Sequence, residues 1–258
     1  MSDDLRSTPA PEAPLRPAPL RLDDIGASIS VGIRHFRAIP LLSALFATVF
    51  AVLGLLLFIA LDVFAIAPIS LSLSGGFMLI GPILLAGFFA LSDRVRAGEK
   101  PRSADFWRGF RSMPRGGWVV SFVCALLFLI WITDAGTLYG FMVGREPTRF
   151  AHLLRLDQSV IEFVFFSSIM GAVLAFILFT VSAFSIPLIY DRRANLVSGV
   201  SASVRTVFTR FGVVLPWACV LTGIVMLSAL LLPLLLVTLP VMAYASREFY
   251  FRAFPRES

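Results

Sequence analysis

From residue 38 to residue 92 one charged side chain, Asp62, interrupts the chain, and residues 116–144, 163–190 and 211–246 are almost as free of charge. A hydrocarbon core roughly 30 Å thick takes about 20 apolar residues per helix, so the first stretch holds two spans with Asp62 at the turn between them. Residues 116–144 give one span, broken near its end by Asp134, and residues 161–190 give another. As a single helix, residues 211–246 would reach about 54 Å. Leu232-Pro233 divides them, because proline lacks an N–H for the preceding turn and favours a helix start. The pattern therefore predicts an all-α polytopic membrane protein with six transmembrane helices.

Arginine placement supports that count. If the termini and the loops 92–115 and 191–210 share one side, all of the 22 Lys and Arg residues lie there except Arg145, Arg149 and Arg155. The positive-inside rule then puts both termini in the cytoplasm. A five-span arrangement would send Arg247, Arg252 and Arg256 outside, against the bias.

Around these spans the chain repeats itself. Ile33-Arg34-His35-Phe36-Arg37-Ala38-Ile39-Pro40 and Trp107-Arg108-Gly109-Phe110-Arg111-Ser112-Met113-Pro114 share the order apolar-Arg-x-Phe-Arg-x-x-Pro. Val204-Arg205 begins a looser third copy that ends at Arg210 and Pro216. Each reads as a short amphipathic helix leading a helical hairpin, with Asp23 or Asp24, Ser103 and Asn195 as N-caps. The apolar faces are Ile25/Ile29/Ile33/Phe36, Phe106/Trp107/Phe110 and Val200/Val204/Val207/Phe211. Two readings fit: a helix in the headgroup plane, its arginines on anionic lipid, or a stripe buried against protein. The returning helices echo one another through Gly81-Pro82-Ile83, Ile186-Pro187-Leu188 and Leu239-Pro240-Val241, each followed by Arg94, Arg192 or Arg247. Their prolines either open a central cavity or simply bend helices around one another.

Residues 1–21, with five prolines and no apolar period, read as a disordered cytoplasmic tail, residues 22–252 as the transmembrane domain and 253–258 as a short cytoplasmic tail. No signal peptide is expected, since the first apolar run starts only near Ile39.

Composition agrees with the membrane class: 58% hydrophobic, 15% charged and a mean hydropathy of +0.87, against about 25% charged residues in soluble domains. The net charge of +6 sits beside apolar spans, where anionic phospholipid headgroups are nearer partners than nucleic acid. Arg34, Arg37, Arg108, Arg111, Arg205 and Arg210 are the candidate lipid contacts. Asp62, Asp134 and Glu162, near the outer ends of spans, are either solvated helix ends or a shared outer-side cation or proton site. His35 and His152 fall on opposite sides, and Cys124 and Cys219 lie within spans, so no metal, cofactor or catalytic set is expected.

The run Leu79-Ile80-Gly81-Pro82-Ile83-Leu84-Leu85-Ala86-Gly87, continued by Asp93-Arg94 and Gly98-Glu99-Lys100-Pro101, resembles a bacterial integral-membrane family called domain of unknown function 2189. So does Phe184-Ser185-Ile186-Pro187-Leu188 with Asp191-Arg192 and Ser201-Ala202-Ser203-Val204-Arg205. The likeness extends roughly from Leu22 to Arg252. It implies a six-helix cytoplasmic-membrane protein without an assigned activity. Where that family's last span often ends in two histidines four apart, this chain has Tyr244 and Glu248, so a haem or metal role does not carry over.

The reading that follows is a non-enzymatic inner-membrane protein with a structural, assembly or lipid-interacting role, free to have a membrane-protein partner or to self-associate. A transporter or channel component is the alternative.

Overall fold

The computed structural model describes residues 15–63, 81–144 and 158–256, and all its regular elements are α-helices. In chain order they are α1 (Asp23–Ala38), α2 (Pro40–Val63), α3 (Gly81–Arg96), α4 (Ser103–Arg111) and α5 (Arg115–Met142). Then come α6 (Gln158–Ser182), α7 (Ser185–Tyr190), α8 (Leu196–Thr209), α9 (Phe211–Leu230) and α10 (Leu232–Ala253).

Local chemistry sets most boundaries. Asn195 caps α8, its Oδ1 accepting from the Ser198 N–H at 2.9 Å. At α1 and α4 the acidic residue works from inside the helix: Asp24 and Asp105 accept the backbone N–H of Arg21 and Arg102 at 2.7 and 2.8 Å. Thus none of Asp23, Asp24 and Ser103 occupies the cap position expected from the sequence; Leu22 and Arg102 do. Pro40 opens α2, Pro114 precedes α5, and Pro233 stands in the first turn of α10, three residues after α9 stops at Leu230.

Among the described residues five helices are long and apolar enough to cross a membrane: Pro40–Leu61, Arg115–Met142, Gln158–Tyr190, Phe211–Ser228 and Leu232–Ala253. Residues 64–80, which complete the expected second span, lie outside the described set; α3 takes up the chain from Gly81. Large apolar side chains cover the outer surface, such as Leu41, Leu45 and Leu56 on α2 and Phe122 and Leu129 on α5. That inversion is stable where the surrounding solvent is hydrocarbon and every backbone group bonds within its own helix.

The short helices dock on the long ones through small residues. At Gly32 of α1 a Cβ would stand 2.5 Å from Val241 O and 3.0 Å from Ala245 N on α10. At Gly109 of α4 it would stand 2.6 Å from both Ala86 O and Ala90 Cβ on α3, while Gly87 makes room for the Phe106 ring. On α8, Ser203 Oγ donates to Thr180 O at 2.7 Å and accepts the Phe184 N–H at 3.2 Å. Without a hydrophobic drive between helices in lipid, this close backbone approach supplies the attraction. Ile25, Ile29, Phe36, Phe106, Phe110, Val200 and Val207 of the expected stripes pack inward, as read from the sequence, and the docking adds small residues to those faces. Ile33, Trp107, Phe208 and Phe211, assigned to or beside the apolar stripes, stay exposed, and Ser28, Gly32, Gly109, Ala202 and Thr206 turn inward.

Order reaches beyond residues 22–252. Leu20 is buried, Ala18 N–H donates to Ala253 O at 2.8 Å, and Phe254 is buried. The last residues of the segment read as a tail thus run extended along the end of α10, where two leucines, Leu15 and Leu20, find apolar cover.

Candidate functional site

The C-terminal ends of α3, α7 and α10 meet around Arg247, whose side chain has no exposed surface. Its Nε and Nη2 donate to Asp93 at 3.1 and 2.8 Å, and Nη2 also reaches Asp191 Oδ1 at 2.5 Å. The second oxygen of Asp191 accepts from Tyr250 Oη at 3.0 Å. Rings of Phe89, Tyr190, Tyr250 and Phe251 stand 4.5–5.3 Å from the guanidinium carbon. Two carboxylates and an aromatic box thus replace part of the water that a buried guanidinium loses, while its Nη1 has no hydrogen-bond partner among the described residues.

Beside it, Glu248 pairs with Arg96 of α3 and, at 3.2 Å, with Arg252, which holds Asp24 of α1 at 2.9 Å. A third polar group joins α1, α2, α3 and α10: His35 Nδ1 lies 2.9 Å from Ser92 Oγ, and Tyr244 Oη lies 2.7 Å from Ser43 Oγ. Burial first, and then the Arg96 charge, hold the His35 imidazole below its ordinary pKa of 6.5, favouring the neutral ring. On the far flank Arg193 donates to Phe254 O and Pro255 O at 2.7 and 3.0 Å, tying the α7–α8 turn to the C-terminal residues.

Farther into the bundle lies a cavity of about 290 Å³ between α6 and α9, closed by α3, α5, α7 and α10. Its wall is mainly Phe, Leu, Ala and Trp with a few hydroxyls, and no charged side chain lines it. Phe89 belongs to both features, facing the cavity and the Arg247 box.

The six arginines singled out from the sequence sit on or beside the short helices. Arg34, Arg37, Arg108, Arg111 and Arg205 are exposed and Arg210 is half-buried. Arg108 is bonded to Asp105 at 2.9 Å. Exposed Trp107 and Trp118 neighbour them on α4 and α5, and Phe208 on α8. Asp134 is exposed on α5, and Glu162 is exposed on α6, accepting from Gln158 Nε2 at 2.9 Å. Neither lines the cavity. The Asp62 side chain lies outside the described residues, as does His152. Cys124 is buried and Cys219 exposed, and among the described residues no three His, Cys, Asp or Glu side chains converge as a metal site.

From the sequence alone Arg247 is one more basic helix exit. A signal was present: the returning helices end in Asp93-Arg94, Asp191-Arg192 and Arg247-Glu248, the charge order reversed in the third. Arg247 faces the two aspartates that occupy its place in the others.

No curated protein and no solved structure matches the chain. Residues 69–191 match the model of a family described as predicted integral membrane protein (DUF2189), covering α3 to α7 and the Asp93 and Asp191 that hold Arg247. Through that segment the chain is similar to the DUF2189 family of predicted integral membrane proteins.

Proposed function

We propose that the chain is a non-enzymatic, six-span protein of the bacterial inner membrane, with both termini and the three short helices on the cytoplasmic side. Its role is structural or assembly-related, exercised by holding anionic phospholipid headgroups. The observation that carries this reading is the outward placement of Arg34, Arg37, Arg111 and Arg205 on docked helices, beside exposed Trp107, Trp118 and Phe208. Aromatic and basic side chains side by side suit a headgroup layer. At about 1 kcal/mol per surface arginine, the set contributes several kcal/mol of lipid attraction.

Support for three out-and-back units comes from contacts. The ends of α3, α7 and α10 converge on Arg247, and α1, α4 and α8 dock on α10, α3 and α6–α7 respectively. Each short helix therefore grips the returning helix of another unit, which closes a ring of three. The transport alternative has no comparable support, since the cavity wall offers no charged side chain.

Native mass spectrometry of the purified protein tests the lipid role. Phosphatidylglycerol or cardiolipin is expected to stay bound, and Arg37→Glu, Arg111→Glu and Arg205→Glu together to lower its retention at least about tenfold relative to phosphatidylethanolamine. Retention indifferent to these reversals contradicts the reading.

A further inference from the structure

A hydroxyl from α8 sits inside the hydrogen-bond ladder of a long apolar helix. From Gln158 to Tyr190 the chain is one run long and apolar enough to cross a membrane, yet it is divided into α6 and α7 at Ala183-Phe184. The ladder holds on both sides of the division: Ala183 N–H donates to Phe179 O at 2.9 Å and Leu188 N–H to Phe184 O at 3.1 Å. In an unbroken helix the Phe184 N–H would reach Thr180 O, four residues back. Instead it donates to Ser203 Oγ at 3.2 Å, and that hydroxyl donates to Thr180 O at 2.7 Å. A side chain inserted into a ladder in this way kinks the helix that receives it. Donor and acceptor of the missing bond both survive, so the kink can be undone without other rearrangement of the backbone pairing.

Ser203 is also the exception on its own helix. Thr206 and Thr209 of α8 donate to the carbonyls four residues back, Ala202 O at 2.7 Å and Arg205 O at 2.8 Å. Turned the same way, Ser203 would donate to Gly199 O. Inserted, Ser203 takes part in two hydrogen bonds. Withdrawn, it leaves two as well, Phe184 N–H to Thr180 O and Ser203 Oγ–H to Gly199 O. Ser203 has no exposed surface, so water does not enter this exchange. With equal numbers of bonds the two arrangements lie close in free energy, and the seating of α8 on α6 and α7 decides between them. On the opposite side of α8, Val197, Arg205 and Phe208 are exposed.

We propose that α8 is a lever that switches the α6–α7 helix between a broken and a continuous form, with anionic headgroups on its outer side as the input. Headgroups holding Arg205 draw α8 away from α6 and α7, Ser203 leaves the ladder, and the Phe184 N–H closes onto Thr180 O. The input rests on the proposed headgroup binding, whereas the splice rests on Ser203 alone. Ser182, Phe184 and Pro187 wall the cavity, so the switch changes its shape.

Magic-angle-spinning NMR of the full chain in nanodiscs tests the lever. Carbon-13 at the Ala carbonyls with nitrogen-15 in Phe selects three linked pairs, Ala175-Phe176, Ala183-Phe184 and Ala253-Phe254, and Phe176→Leu helps assign them. The Phe184 amide proton is expected to move downfield when phosphatidylglycerol replaces part of the phosphatidylcholine, as the long bond to Ser203 gives way to a ladder bond. The ratio of continuous to broken helix should rise about fivefold, the factor one arginine at the surface supplies. Ser203→Ala, which cannot bridge the ladder, should sit at the downfield limit in both lipids, and Arg205→Glu should remove the response. The parent comparison needs no variant to fold. A parent signal that ignores the lipid, or a Ser203→Ala signal that moves upfield or still follows the lipid, overturns the lever. Native mass spectrometry tells the failures apart: phosphatidylglycerol retained with an unmoved Phe184 signal overturns the lever alone, and phosphatidylglycerol not retained with the signal unmoved overturns the headgroup binding too.

Discussion

Asp191 and Arg247 meet at 2.5 Å across 56 residues of sequence, and with Asp93 they bind the ends of α3, α7 and α10 at one point. Removing one partner of a buried pair leaves the rest without compensation, which costs about 3–5 kcal/mol. Arg247→Met is therefore expected to lower the thermal unfolding midpoint in detergent sharply. Adding Asp93→Asn and Asp191→Asn to it should recover most of the loss, because no uncompensated charge then remains.

The docking of α1 is checked by two glycines on the same helix. Gly32→Ala drives a methyl into Val241 O and Ala245, backbone atoms that cannot give way, and should cost about 1–3 kcal/mol. Gly26 has nothing within 4 Å of a new Cβ, so Gly26→Ala should be stabilising by about 0.5–1 kcal/mol through helix propensity. Denaturation of both variants in one detergent gives the comparison.

Arg192, just past α7, has φ +57°, a left-handed conformation that costs a side chain about 1–2 kcal/mol. The turn is closed by Arg192 N–H to Ile189 O and Arg193 N–H to Leu188 O, both 3.0 Å, a helix ending that glycine fits best. Arg192→Gly should raise the melting temperature by a few degrees.

The end of the bundle should weaken on mild acidification. His35 is held neutral, its pKa below 6.5 because of burial and the Arg96 and Arg34 charges, against the opposing pull of Glu248 and Asp93. The unfolded imidazole takes up its proton first as the pH falls through 6.5, so the unfolded state gains protons and stability drops between 6.5 and the lower native value. His35→Asn, which can still bond Ser92, should flatten the melting temperature between pH 7.5 and 5.5 compared with the parent.

How far the sequence reached depends on the range of the forces involved. The division of 211–246 at Leu232-Pro233 and the Asn195 cap are local effects of backbone chemistry, legible from a few residues, and the structure has both. The apolar part of the inward faces of α1, α4 and α8 was legible in Ile25, Ile29, Phe106 and Val207, but the small residues beside it were not, because glycine and serine carry no hydropathy signal and their partners, such as Val241 for Gly32, lie far along the chain. For the same reason Arg247 read as a topology marker. Its burial depends on carboxylates 154 and 56 residues away. Trp131 within an apolar run likewise gives no hint that its N–H goes without an acceptor.

The proposed arrangement of six crossings with every short helix on the cytoplasmic face is tested most directly by cysteine labelling in intact cells. On a Cys124→Ala, Cys219→Ala background, single cysteines replacing Arg37, Arg111, Arg205 and Arg256 should all resist a membrane-impermeant maleimide until the inner membrane is permeabilised. A cysteine at any of the four positions that labels from outside in intact cells contradicts the arrangement and the lipid contacts built on it.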